Sequence, residues 1–175
     1  MTALAYAPAA VVRGAPPVDV ATRLALEVMH ARARKYAGSR HLLARKTRHS
    51  LTQSAMVTLR DRVFSERDRR DIRFHVSSQE YRYPNGSVIV VCGLDDPGRL
   101  QSSEYDTAFI PEATEASLSD WEMVGGLLRY GSMPYAQLMG DCNPSYPKHW
   151  LNQRAHRGAT ERFIFRHSDN PSITP

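Results

Sequence analysis

The chain has 175 residues, of which 42% are hydrophobic, 23% charged and 9% aromatic, and its formal net charge is +5. That is one domain's worth of ordinary globular composition, long enough to bury a core. There is no apolar run near the roughly 20 residues of a bilayer span, no basic-then-apolar leader, and no C-x-x-C, since Cys92 and Cys142 lie far apart. These features argue against a membrane span, a secretory signal, a disulfide framework or a zinc site, and a soluble protein of the reducing cytoplasm is expected.

The charge is unevenly placed. Residues 1–80 carry 15 Lys/Arg against 7 Asp/Glu, a balance of +8, whereas residues 81–175 carry 8 against 11, a balance of −3. The basic half suits a polyanion and the acidic half a metal or catalytic site. The same basic residues equally suit a solvated, Arg-rich helix surface.

Residues 1–18 are rich in Ala, Pro and Val without an amphipathic period, and Pro16-Pro17 oppose regular structure, although Val11-Val12 read as a strand stub. A helix is expected from Asp19, its N-cap, with Val20, Leu24 and Val28 on one face and Gly38 as its stop. His41 to Ala44 reads as a buried strand ending in Arg45-Lys-Thr-Arg48. Ser50 and Gln53 have capping-box spacing, and Leu51, Ala55, Leu59 and Val63 form one stripe, so a helix is expected from Leu51 to Phe64. Glu66 to Asp71 alternates in sign and reads as a solvated turn.

Gln79 to Tyr83 and Ser87 to Cys92 flank Pro84-Asn-Gly86, the strongest hairpin signal in the chain, and Val88 to Val91 reads as covered on both faces. Ala108 to Ile110 is a short apolar run entering an acidic turn at Glu112, the pattern of a buried parallel strand that delivers a carboxylate to a sheet edge. Ser119 and Glu122 suggest a capping box for a helix through Leu128, ended by Gly131. Leu138-Met139-Gly140 is a further strand, ending in Asp141-Cys-Asn-Pro144. A short helix over 147–157 and a strand over 160–165 complete the pattern. Alternating strands and helices imply an α/β fold with a mainly parallel sheet and one antiparallel hairpin.

Two strand ends that emit polar residues point to one site at the carboxyl edge of the sheet. Glu112 there can polarise a water or hold a divalent cation. Asp141 and Asn143 occupy the matching place on the next strand, though Asn143-Pro144 would also simply make a tight turn. Glu115 reads as a first-turn helix acid. His149 and His156 lack metal-ligand spacing and read as surface or capping residues.

Six segments in order carry a resemblance: Leu42 to Ala55, Glu80 to Ser87, Gly93 to Leu100, Glu104 to Glu115, Asp141-Cys-Asn-Pro144 with His149-Trp-Leu151, and His167 to Pro171. Across residues 22–175 they resemble the ATPase half of a tailed-phage terminase large subunit, the motor that packages viral DNA. The resemblance implies an additional-strand P-loop ATPase fold with ATP and Mg2+ as cofactors. It puts Glu112 where the family activates the attacking water. Asn143, with Asp141 beside it, falls in the coupling motif that senses the γ-phosphate. Thr22 falls at the hydroxyl that binds magnesium, and Arg45 in a region where such motors carry basic residues near the nucleotide. The implied partners are double-stranded DNA, a portal protein and a small terminase subunit, with a homo-oligomeric ring acting in the host cytoplasm.

Departures from the pattern are equally specific. The window for the phosphate loop, G-x-x-x-x-G-K-[ST], is Ala15 to Thr22, and only Thr22 fits. Ala21 replaces the lysine, Val20 the second glycine, Pro16 and Pro17 remove N–H donors, and Asp19 adds a negative charge. Pro111 stands where the family places a metal-binding aspartate. The expected division is therefore a degenerate or mis-started segment at 1–21 and an incomplete ATPase-like domain at 22–175, without the family's nuclease domain. Two other readings stay open. One is a non-catalytic DNA-binding remnant using the basic half, the other a metal-dependent nuclease built on Asp106, Glu112 and Asp141.

Overall fold

The computed structural model describes residues 3–4, 20–96, 98, 100, 102–143 and 146–164. Its centre is a six-stranded mixed sheet. The strands are β2 (Arg40–Arg45), β3 (Arg73–His75), β4 (Glu80–Arg82), β5 (Val88–Gly93), β6 (Thr107–Ile110) and β7 (Gln137–Gly140), in the spatial order β3-β4-β5-β2-β6-β7. β5, β2, β6 and β7 run parallel, with Leu43 opposite Val91 on one side and Phe109 on the other. β3 and β4 are antiparallel additions. A further strand, β1 (Ala3–Leu4), pairs in parallel with β8 (Thr160–Glu161) as a separate two-stranded sheet close to β7.

The central strands are buried on both faces, and side-chain alternation sorts them into two cores. Leu43, Ile89, Val91, Phe109 and Met139 pack against α1 (Val20–Lys35) through Leu26, Met29 and Ala33. Leu42, Ala44, Ala108, Ile110 and Leu138 face the other way. They meet Trp121 and Val124 of α5 (Leu118–Gly126), while Trp150 and Leu151 of α6 (Trp150–His156) pack at the margin of that core. Each fully buried Leu, Ile or Phe contributes roughly 1.5–3 kcal/mol, so these short apolar runs dictate the sheet despite their length.

The expected strands at 41–44, 88–91, 108–110 and 138–139 are all present, and so is the hairpin around Asn85-Gly86. Gly38, at φ +73°, ends the first helix as expected. Asp19, Val11-Val12 and Phe165 lie outside the described residues.

Several expectations need correction. The helix expected over 51–64 is three pieces: α2 (Arg48–Gln53), capped by Thr47 rather than Ser50; α3 (Ala55–Thr58); and a π-helical turn at Leu59–Val63. The break is at Ser54, whose hydroxyl donates back to the Ser50 carbonyl at 2.7 Å, a bond that distorts helices. Residues 66–71 form a helix, α4 (Glu66–Asp71), because Ser65 and Asp68 make a complete capping box. The box that starts α5 is Ser117 with Asp120, not Ser119 with Glu122, and the helix ends at Gly126 well before Gly131. In both places the partner acid is Asp, one carbon shorter than the Glu of the usual signature. The final strand is only two residues long.

Candidate active site

All four parallel strands point their carboxyl ends to one edge, where Arg45 ends β2 and Leu94, Pro111 and Asp141 follow β5, β6 and β7. Glu112 sits one residue beyond, in the left-handed conformation at φ 51°, ψ 49°, just before a 3-10 turn at Ala113–Glu115. Among the described residues only Gln79 and Glu112 are non-glycine with positive φ. A side chain in that region costs about 1–2 kcal/mol, and such residues concentrate at functional sites.

Asp141 holds this turn in place. Its Oδ1 accepts the Glu112 backbone N–H at 2.8 Å, and its own carbonyl accepts the Ala113 N–H at 2.7 Å. Its Oδ2 accepts the hydroxyl of Thr22, in the first turn of α1. Three residues from separate parts of the chain thus meet around one nearly buried carboxylate, 9% exposed. The close approach depends on Gly140. A Cβ there would lie 2.9 Å from Trp121 Cζ3, 3.0 Å from Ala113 Cβ and 3.3 Å from the Ile110 carbonyl. Sequence reading had not singled out this glycine, and a glycine between a strand and a polar turn is its only sequence signal.

Beside this junction lies a cavity of about 570 Å3, lined among others by Ala21, Thr114, Asp141, Cys142, Asn143 and His149. Its volume is that of a small-molecule site. Asn143 is exposed and belongs to the cavity wall. His149 is buried and accepts the Leu151 N–H through Nδ1 as the N-cap of α6, the capping role expected for it. Val20, Ala21 and Thr22 are the only members of the phosphate-loop window within the described residues.

Arg45 stands on the same edge but its guanidinium is engaged. Nε and Nη2 reach Glu115 at 3.0 and 2.9 Å, and Nη1 reaches Ser54 Oγ at 3.0 Å. Glu115 is therefore the Arg45 partner as well as a 3-10 turn residue. Asp106 is elsewhere: it precedes β6, is 2% exposed, and accepts the Arg40 and Met133 N–H groups at 2.9 and 3.1 Å. The four-residue strand between them puts Asp106 and Glu112 at opposite ends of β6, roughly 20 Å apart at about 3.3 Å per residue. Asp106 does not join Glu112 and Asp141 in one site.

A mainly parallel sheet with helices on both faces, and a glutamate and an aspartate at the ends of adjacent strands beside the first turn of α1, define an open α/β domain with its polar residues gathered at the carboxyl edge. The model of the phage terminase large subunit family matches residues 18–171, and the chain belongs to that family. Among solved structures, the large terminase of a thermophilic bacteriophage superposes with a TM-score of 0.68 at 17% identity, covering 90% of this chain and 39% of that one. The same terminase in complex with ATP-gamma-S gives 0.67 at 18%, covering 89% and 38%. The large terminase ATPase domain of Thermus phage P74-26 gives 0.51 at 16%, covering 83% and 60%. The chain thus spans about two fifths of the first of these terminases. No curated protein matches the chain in sequence. No helix among the described residues is long and apolar enough to cross a membrane.

Proposed function

We propose that the chain is the ATPase half of a DNA-packaging terminase, whose Glu112 edge couples ATP hydrolysis to movement of viral double-stranded DNA into a procapsid. The observation that carries this reading is the pair of bonds by which Asp141 joins Thr22 and Glu112. Glu112 is the general base, accepting the proton of the water that attacks the γ-phosphate, and Asn143 offers its amide to a γ-phosphate oxygen. Asp141 fixes the Glu112 backbone N–H, and so sets the point from which that side chain leaves the turn. The donor set at Thr22 is all hard oxygen, which suits Mg2+, a cation usually held by one or two carboxylates plus substrate phosphates. Thr22 would hold it, and bound magnesium would neutralise charge on the β- and γ-phosphates.

The weak part is the phosphate grip, because Ala21 and Val20 stand at the lysine and glycine positions. A variant carrying Ala15→Gly, Val20→Gly and Ala21→Lys, with Pro16 and Pro17 both changed to Ser, rebuilds G-x-x-x-x-G-K-T up to Thr22. It should show DNA-stimulated ATP hydrolysis that Glu112→Ala lowers by about 100-fold or more. Equal activity with Glu112→Ala would refute the assignment. In this reading the natural partners are a portal protein and a small terminase subunit, the working form is a ring, and the place is the host cytoplasm. Arg45 supports the edge from beneath through Glu115.

A second reading is favoured by one arginine-rich segment, in which Arg60 and Arg67 are ion-paired with Asp61 and Asp71. Arg60, Arg62, Arg67, Arg69, Arg70 and Arg73 are all exposed over the π-helical turn, α4 and β3. A non-catalytic DNA-binding remnant would use them on phosphates, and its DNA affinity would fall steeply between low and moderate salt without any response to ATP. Salt-independent binding would remove this reading.

A further inference from the structure

A cation that enters with a nucleotide needs a carboxylate next to the hydroxyl that helps to hold it. The residue preceding Glu112 is Pro111, buried and without a side-chain donor atom. The Thr22 hydroxyl donates instead to Asp141 Oδ2, an acid of the neighbouring strand β7. Donating its proton there leaves the Thr22 oxygen lone pairs available to a cation. Ile110 and Gly140 are paired in the β6–β7 ladder, and the missing Cβ of Gly140 leaves room there for Trp121 and Ala113 beside Asp141.

We infer that Asp141 supplies the cation-holding carboxylate of this edge, taking from β7 the role that Pro111 leaves vacant at the end of β6. The inference rests on the nucleotide reading for the remaining, phosphate ligands. It goes beyond that reading in moving the acid from one strand to the next. It also gives one side chain two tasks. Oδ2 answers to the first turn of α1, while Oδ1 fixes the Glu112 N–H at 2.8 Å. Charge arriving beside Thr22 is thereby felt by the turn that carries the general base.

The test uses the full 15N-labelled chain titrated with Mn2+, first alone and then with ADP present. Paramagnetic broadening is expected first at the amides of Thr22, Glu112, Ala113 and Cys142, with ADP raising the Mn2+ affinity. Asp141→Asn should weaken Mn2+ binding by about tenfold or more, and its amide spectrum reports independently that the chain is folded. Broadening elsewhere, no broadening, or a folded Asp141→Asn protein that binds Mn2+ like its parent would overturn the inference. Broadening at these amides that ignores ADP would keep Asp141 as a cation ligand and overturn the nucleotide reading instead. ADP-induced shifts with no Mn2+ effect would do the reverse.

Discussion

Arg45, at the end of β2, and Glu115, in the turn after β6, form a two-pronged ion pair with contacts of 3.0 and 2.9 Å. The pair ties two strand ends together across the edge that carries Glu112. Glu115 is 43% exposed in its side chain and Arg45 only 16%, so the value of the contact lies mainly on the arginine side. Arg45→Ala removes both that pair and the donor to Ser54 and should cost about 1–3 kcal/mol. Glu115→Gln should cost under about 1 kcal/mol, as partly solvated pairs do. Urea titration of the two variants measures the difference.

His41 predicts an acid sensitivity. It is fully buried in β2 between Ser39 Oγ at 2.8 Å and Thr107 Oγ1 at 2.7 Å. Burial pushes its pKa down to about 4, against the raising influence of Asp106. The unfolded chain, with an ordinary histidine near 6.5, therefore binds more protons between those two values. Stability is full above about pH 6.5 and falls as the pH drops toward 4, by roughly 3 kcal/mol from this one group. His30 adds to the trend in the same direction, its pKa lowered chiefly by burial although Asp68 opposes the shift. Comparing the unfolding midpoint of the parent and His41→Asn across pH 4–7 checks the prediction: the variant should show a flatter dependence.

Gly140→Ala tests the strand-end contact. The added methyl must displace Trp121 or the Ala113 turn, an overpacking cost of about 1–3 kcal/mol. It should also shift the Glu112 amide resonance, because Asp141 is the next residue. A stable variant with that resonance unmoved would mean that the glycine is not what allows the approach.

The two serines at the start of α5, Ser117 as N-cap and Ser119 in the first turn, make a sharp comparison. Ser117→Ala should lose about 1 kcal/mol, since Ser117 caps the Asp120 N–H at 3.1 Å and Asp120 returns the bond at 2.9 Å. Ser119→Ala should change stability by less than about 0.5 kcal/mol. Thermal melts of both variants decide which serine starts the helix.

The legible parts of the fold were those set by local apolar pattern. Leu42 to Ala44 and Ala108 to Ile110 announce themselves because a strand covered on both faces has nowhere to place a polar side chain. Ser54 does not announce itself: nothing in Leu51 to Val63 shows that one hydroxyl will bond both a helix carbonyl and an arginine from the preceding strand. β3 is equally silent, since Arg73-Phe-His75 forms a strand only by pairing with Glu80 to Arg82. At the site, Glu112 and Asp141 could be marked as polar ends of apolar strands. Their bond could not, because the contact spans 29 residues and the one to Thr22 spans 119. Position along a strand is local information; which two strand ends touch is decided by the sheet order.

The left-handed backbone at Glu112 sets the interest of the fold against that of its chemistry. Only glycine occupies this conformation without penalty, so Glu112→Gly should make the folded chain more stable by up to about 1 kcal/mol, partly offset by the freer unfolded chain. Unbiased selection for heat resistance, with no demand on activity, should therefore recover glycine here. Under the proposed function, a library selected for ATP hydrolysis should never do so. Position 112 would then be the place where an evolutionary experiment separates what the chain needs in order to fold from what it needs in order to work.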